Sequence, residues 1–341
     1  MAANEIKNPY LGFICLVLGF VVIYLLKPVL LPVVLSLFLI AIAWPITVWL
    51  NSIFPKNISY VLSYVALIAL FGFFAGLSYI SIAQFISRMP EYESQFTTLL
   101  AEITAWLRSM GLPAPRDLNA EQLQAVITPF ISTFYSTLGH LGLVVGLVIL
   151  GLPELVYWED KLDNCLGKSD GGRWRQAAAE SAVSFQKYMT VMFYIGLLAG
   201  ALTTGFCWAV GLDFALFWGL LAFIMNFLPI IGAALMMIPP TAMAAMQFND
   251  PMMIWIVFGG MLGIQFFMGN IIDPKFQGKF LSMSPYIILV SIAFWTLIWG
   301  VPGAFLAVPL THIFMIVFHQ FPQTRKWACL LSEGKGSNQF N

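Results

Sequence analysis

The chain has 341 residues, of which 60% are apolar, 15% aromatic and 9% charged, and its 16 Lys and Arg balance its 16 Asp and Glu, so the formal net charge is zero. A soluble globular chain carries about 25% charged residues; this one has too little polar surface to stay dispersed in water, which excludes a soluble enzyme, a disordered chain and a disulfide-framed secreted domain. Nucleic acid is excluded as a partner as well, because phosphate binding needs clustered Lys and Arg.

The charges are unevenly placed. Uncharged runs cover 8–26, 28–55, 57–87, 122–153, 188–212, 214–249, 251–272 and 280–324. A helix needs about 20 apolar residues to cross a hydrocarbon layer roughly 30 Å thick. The runs are rich in Leu, Ile, Val and Phe without strand-like alternation, which favours helices over a β-barrel. The expected fold class is all-α: a polytopic transmembrane helical protein with about eight membrane segments, two of them broken hairpins, and an extracytoplasmic helical insert. Cys15, Cys165, Cys207 and Cys329 are scattered, as are His140, His312 and His319. No metal-ligand spacing, phosphate loop or nucleophile constellation stands out, so no enzymatic activity, cofactor or metal is expected.

In chain order, Lys7 precedes an apolar stretch from Tyr10 to Leu26 that lacks a small-residue cleavage site, so helix one is read as retained over 10–26. Helix two follows Lys27-Pro28 and runs to residue 50. The loop from Asn51 to Asn57 leads into helix three, 58–83. The polar insert 84–140 carries Phe85, Met89, Tyr92, Phe96, Leu99, Leu100, Ile103, Trp106, Leu107 and Met110 at the 3/4 spacing of an amphipathic helix. Gly111-Leu112-Pro113-Ala114-Pro115 breaks it, and Asn119 with Gln122 resembles a capping box for a second helix ending near Leu138. The apolar stripe of this hairpin either packs within it or meets neighbouring subunits. Helix four is expected at 141–158. A basic connector, 159–187, holds Lys161, Lys168, Arg173, Arg175 and Lys187, and its amphipathic second half is predicted to lie at the interface. Helix five follows at 188–210.

Basic residues in short loops mark the cytoplasmic side. The connector 159–187 is therefore placed inside, with the 84–140 insert outside and the N-terminus inside. Runs 214–249 and 280–324 are too long for one helix, and each is interrupted, by Asn226-Phe227-Leu228-Pro229-Ile230-Ile231-Gly232 and by Trp299-Gly300-Val301-Pro302-Gly303. Two short halves joined by a Pro/Gly turn suggest a hairpin that dips into the membrane and returns; two ordinary hairpins of tilted helices are the alternative. The re-entrant reading places Lys275, Lys279, Arg325, Lys326 and Lys335 inside, as the charge rule requires. Helix 188–210 with a hairpin from outside, then helix 252–272 with a hairpin from inside, make an inverted repeat, the arrangement of secondary transporters.

The chain thus divides into helices one to three (1–83), the extracytoplasmic hairpin (84–140), helix four with the connector (141–187), a transport core (188–324) and a cytoplasmic tail (325–341). Polar residues inside a bilayer tend to face a cavity or pathway. The candidates are Asn226 at the first break, Gln265 and Asn270 on the crossing helix, and Asp273 at its inner end. Amides donate and accept, which suits a hydroxyl-rich neutral solute or a cation; helix–helix hydrogen bonding is the competing role for Asn226 and Gln265, and an ordinary solvated end charge for Asp273. Pro229, Gly232, Pro302, Gly303 and Pro309 are the candidate tips and hinges, permitting turns and close backbone approach.

Over nearly the whole chain, and most strongly from Gly211 to Leu310, the sequence resembles the autoinducer-2 exporter family. The residues that carry the likeness are Gly211-Leu212-Asp213-Phe214-Ala215-Leu216-Phe217-Trp218-Gly219, Asn226-Phe227-Leu228-Pro229-Ile230-Ile231-Gly232, Gly269-Asn270-Ile271-Ile272-Asp273-Pro274 with Gly278, Leu281-Ser282-Met283-Ser284-Pro285, and Phe294-Trp295 with Trp299 to Pro309. The resemblance implies a homo-oligomeric multi-pass protein of the bacterial inner membrane that exports a small polar solute of the quorum-sensing type. It also admits sodium/proton antiport, because the family is not uniform. A non-transporting scaffold built on the insert is the third reading. The expected mechanism is alternating access between two facing hairpins, with Asn226 and Gln265 contacting the solute; no ATP-binding motif is seen, so a gradient or simple facilitated flow is the expected driving force.

Overall fold

The computed structural model describes residues 18–111, 141–156, 171–228, 231–248, 250–277, 283–320 and 324. Among them every extended element is helical. Helix α1 covers 18–25 and α2 Lys27–Asn51; α3 (Lys56–Arg88) passes through a 3₁₀ turn, Met89–Tyr92, into α4 (Glu93–Ser109). Then come α5 (Leu141–Val156), α6 (Gly171–Ala209), α7 (Ala215–Met225), α8 (Ile231–Gln247) and α9 (Pro251–Phe267). A π-helical turn, Met268–Ile272, joins α9 to the short α10 (Asp273–Gln277), and α11 (Pro285–Trp299) and α12 (Val301–Gln320) complete the order. The second helix expected in the insert, the start of helix one, most of the basic connector, Pro229 and the C-terminal tail lie outside the described residues.

Among the described residues, five stretches are long and apolar enough to cross a bilayer: Lys27–Asn51, Ile58–Arg88, Arg175–Ala209, Pro251–Lys275 and Val301–Gln320. Large apolar side chains stand outward on them and on their neighbours, Leu297 at 81%, Trp208 at 79% and Leu150 at 74% exposure. Such exposure is unfavourable in water and costs nothing in lipid. The chain is an all-α, multi-pass membrane protein.

Two boundaries differ from the sequence expectation. The amphipathic stripe that begins at Phe85 is not one helix: Phe85 belongs to α3, and the chain turns at Met89-Pro90 before α4 starts. Proline lacks the donor that a continuing helix needs and tolerates only its first turn. Conversely, the connector's second half and helix five are one continuous helix, α6, of 39 residues. At 1.5 Å per residue it spans about 58 Å, nearly twice a hydrocarbon layer. Its run Arg175-Gln176-Ala177-Ala178-Ala179-Glu180 contains good helix formers and no breaker, so nothing stops the helix at the interface.

The chain forms two compact units, Met1–Trp44 with Leu141–Gln186 and Ser282–Asn341, and Pro45–His140 with Lys187–Leu281. In the first, α11 and α12 pack as a hairpin around Trp295, whose ring stacks on Phe314 at 5.9 Å and whose indole N–H donates to Thr311 Oγ1 at 3.0 Å. In the second, α7, α8 and α9 meet the end of α6 around Trp218, Met225, Met236, Met243, Val257 and Met261. Asp250 and Ser284 cap α9 and α11: Asp250 Oδ1 accepts from Met252 N at 2.9 Å and Ser284 Oγ from Ile287 N at 3.3 Å, each followed by proline at the first helical position.

Candidate functional site

The first break falls where the sequence places it. Helix α7 stops at Met225 after 11 residues, about 16 Å. Asn226 closes it, its N–H donating to Ala222 O at 3.0 Å, and Leu228 N then donates to Met225 O at 2.9 Å. The chain re-enters a helix at Ile231, and Gly232 N donates to Leu228 O at 2.8 Å. A Cβ at Gly232 would overlap the Met225 carbonyl oxygen. Only glycine lets these two backbone segments approach so closely.

The second break repeats the construction. Helix α11 ends at Trp299, Gly300 takes the left-handed φ of 72°, and its N–H donates to Thr296 O at 2.8 Å. Helix α12 begins at Val301, with Pro302 in the first turn, where its missing N–H is not needed. A Cβ at Gly303 would overlap the Trp295 carbonyl oxygen. Pro309 is buried in the interior of α12. In both hairpins, then, a glycine early in the second helix rests on a carbonyl near the end of the first.

Asn226 is partly buried, and its Nδ2 is wholly buried with no hydrogen-bond partner among the described residues. Its surroundings follow from the crossing of α6 and α7. Gly200 faces Gly219, and Gly196 faces Phe223, with so little room that a Cβ at Gly200 would stand 2.8 Å from Gly219 O. Small residues four apart permit this close approach. Continued along the two antiparallel helices, the register brings Asn226 level with Phe193, whose ring meets Phe223 at 5.7 Å.

Helix α6 presents another face to α9 and the π turn, where Ile195, Ala199 and Met268 are buried together with Val191, Leu202, Ile264 and Ile272 around them. Asp273 follows Ile272 directly, and Tyr188 lies one turn beyond Val191. Tyr188 is buried, and its hydroxyl has no hydrogen-bond partner among the described residues. Gln265 is half-buried on α9. Asn270 is exposed, and its Nδ2 donates back to Phe266 O at 3.0 Å, which occupies one amide hydrogen within its own helix. Of the four polar candidates, Asn226 is level with the Phe193 turn of α6 and Asp273 directly follows the π turn that packs on that helix; Tyr188, on α6 beside Lys187, is a further buried polar side chain.

A second polar cluster gathers beyond the C-terminal end of α6, in the turn Gly211-Leu212-Asp213-Phe214. Gly211 and Phe214 both have positive φ, 72° and 62°. Gln247, from the end of α8, clamps the turn: its Oε1 accepts from Asp213 N at 2.8 Å and its Nε2 donates to Gly211 O at 2.8 Å. Trp218 Nε1 donates to Asp213 O at 2.9 Å. Tyr92, from the 3₁₀ turn, donates to Asp213 Oδ2 at 2.5 Å, with Arg88 3.8 Å from the same oxygen. Thus one aspartate ties the insert to the entry of the first hairpin. The signal was in the sequence, as the lone acid between two uncharged runs.

Gln247→Ala removes two hydrogen bonds and should lower stability in detergent by about 1–3 kcal/mol, measured as the thermal unfolding midpoint. Burial, with the adjacent Asp213 carboxylate, pushes the Tyr92 hydroxyl up to about 12. A phenol whose pKa rises on folding contributes stability that is fully present below its unfolded pKa, about 10, and is lost as pH climbs through the folded value. The stability gap between the native chain and Tyr92→Phe should accordingly be constant below pH 10 and close between pH 10 and about 12. A gap that closes below pH 9 would contradict the bond.

A model of the AI-2E family transporters matches residues 13–323. The AI-2 transport protein TqsA of Escherichia coli is 28% identical over 251 residues, 72% of this chain and 72% of that one. A Haemophilus influenzae relative is 26% identical over 348 residues, 96% and 97% of the two chains, and a Borreliella burgdorferi relative 28% over 242 residues, 70% and 66%; both are named "Putative transport protein". These relatives are named for transport and not for catalysis, in agreement with a non-enzymatic protein. Matched from its first helix to the last turn of its second hairpin, the chain belongs to the AI-2E transporter family.

Proposed function

We propose that this protein exports a small, polar, hydroxyl-rich solute of the autoinducer-2 type across the bacterial inner membrane by alternating access. The observation that carries the reading is Asn226: its Nδ2 is buried and has no partner among the described residues, at the break of a short helix. A buried donor left unmade costs about 1–3 kcal/mol, so a group held in this state is poised to meet an acceptor that arrives from elsewhere. A solute hydroxyl or carbonyl supplies one. The name of the TqsA relative supports the solute class.

The two breaks supply the moving parts. Helix α7, about 16 Å long, falls well short of a 30 Å layer, which supports a hairpin that enters and leaves on one side. The glycine-on-carbonyl tips permit each hairpin to fold back tightly, and Pro309 offers a bend within α12. Gln265 joins Asn226 in contacting the solute, with Asn270 and Asp273 further along the same path. Both termini face the cytoplasm, residues 188–324 form the transport core, the 84–140 insert lies outside, and the working form is a homo-oligomer. With no ATP-binding motif in the sequence, flow follows a gradient.

Proteoliposomes loaded with autoinducer-2 test this reading. Release faster than from protein-free vesicles is expected, slowed by small neutral polyols and unaffected by tetraalkylammonium ions. No release from vesicles holding folded protein would refute it.

A further inference from the structure

The end of the first helix is in contact with the second break. Helix α1 stops at residue 25 and α2 starts at Lys27, with Pro28 in its first turn. Leu26 N still donates to Val22 O at 2.8 Å. Proline has no N–H to give, so carbonyls in the final turn of α1 need donors from outside the helix. Trp299 supplies one: its indole N–H donates to Ile23 O at 3.3 Å. Nearby, Phe20 meets Phe294 edge-on, with ring centroids 4.9 Å apart and planes at 80°. Past both, Lys27 Nζ lies 3.7 Å from the place that a Cβ on Gly300 would take. All six residues belong to the first compact unit.

These contacts share one side of the helix. From residue 18 to 27, Phe20, Ile23 and Lys27 are half-buried and every other residue is exposed, Leu25 at 68%. Spacings of three and four residues put such positions on a single stripe, and here the stripe is the one that touches the second hairpin. On the hairpin side the contacts lead into an aromatic row: Phe294 meets Trp295 at 5.5 Å, and Trp295 meets Trp299 at 5.2 Å. Lys27 has no carboxylate partner among the described residues. Its ammonium stands instead over the C-terminal end of α11, where free carbonyls carry partial negative charge.

The seat is narrow. It consists of one hydrogen bond, one ring pair and one charge over a helix end. Within the hairpin, by contrast, Trp295 is held to α12 by both Thr311 and Phe314. The tip can therefore leave α1 while α11 and α12 stay packed on each other. Alternating access needs such a junction, because a hairpin that opens must part from whatever holds its tip. We propose that α1 is the seat on which the tip of the second hairpin closes, and that release of Trp299 from Ile23 is the gating step of that hairpin. The proposal deepens the transport reading and rests on it for its role. Trp299 and Phe20 are positioning residues in this gate and act without touching the solute.

The test reads the gate first without solute. In full-length protein whose Cys15, Cys165, Cys207 and Cys329 are replaced by serine, Leu26→Cys and Val301→Cys add a labelling pair at two exposed positions beside Lys27 and Gly300. Spin labels on this pair are expected to show two separations by double electron–electron resonance, the shorter being the seated tip. Trp299→Phe keeps a ring and removes the N–H, and should raise the share of the longer separation roughly threefold or more. Phe20→Leu should act in the same direction, and decides the matter should the tryptophan variant fail to fold. Joining the pair with a short reducible cross-linker should cut autoinducer-2 release from vesicles roughly tenfold or more, and reduction should restore it. A single separation that neither variant changes, or full release from cross-linked protein, would overturn the gate and leave the solute reading wherever the native chain releases. Two separations that the variants shift, with no release from any vesicle, would sink the solute reading and leave the gate.

Discussion

Replacing Gly232 or Gly303 by alanine should cost about 1–3 kcal/mol each and abolish transport. The new methyl group would overlap a backbone oxygen, that of Met225 in one case and of Trp295 in the other. A flexible side chain can swing away from an added carbon, but a carbonyl at the end of a packed helix cannot. Met225 is itself buried, and its oxygen already accepts from Leu228 N at 2.9 Å, so relief requires the tip to unravel. Trp295 is fixed by its bond to Thr311 and by its stack on Phe314. Gly263→Ala on α9 is the control. Nothing beyond its own stretch of helix lies within 4 Å of the place its methyl group would take, and alanine is the better helix former by up to about 1 kcal/mol. Thermal unfolding in detergent reads all three: two midpoints should fall, and the third should hold or rise. An unaltered midpoint and flux in Gly232→Ala would show that the tips are not closed as described.

Asn226→Leu should separate stability from transport. Removing a hydrogen-bonded buried amide normally destabilises a protein, because its partner is left stranded. Asn226 Nδ2 has no partner among the described residues to strand. An apolar group of similar size also removes the penalty of burying an unsatisfied donor, about 1–3 kcal/mol by mutational measures. The unfolding midpoint should therefore stay or rise while solute flux falls at least tenfold. A fall in both would mean that Asn226 serves as a structural hydrogen bond between helices, the competing role for a polar residue in a membrane helix.

The membrane architecture was legible because it rests on quantities that sequence records directly: charge spacing and run length. Both helix breaks were legible for the same reason, since Asn226 to Gly232 and Trp299 to Gly303 combine chain length with Pro and Gly. What periodicity does not reveal is helix continuity and rotation. It divided α6 in two, because a change from amphipathic to wholly apolar sequence resembles a boundary although the backbone has no reason to stop. It also ran one stripe through Met89-Pro90. The π turn was invisible, because a one-residue change in hydrogen-bond pattern has no compositional signature. Asp213 could be seen as a lone charge, but its partners, Tyr92 and Gln247, lie 121 and 34 residues away, distances at which only the folded chain pairs them.

The most direct measurement compares efflux of autoinducer-2 from proteoliposomes containing the native chain with efflux from those containing the double variant Asn226→Ala, Gln265→Ala, at equal reconstitution and with matched unfolding midpoints. Release by the native chain is expected, with loss of at least about nine-tenths of that rate in the variant. Release by the double variant at the native rate would contradict the assignment of the solute path to the first broken hairpin and the helix that follows it.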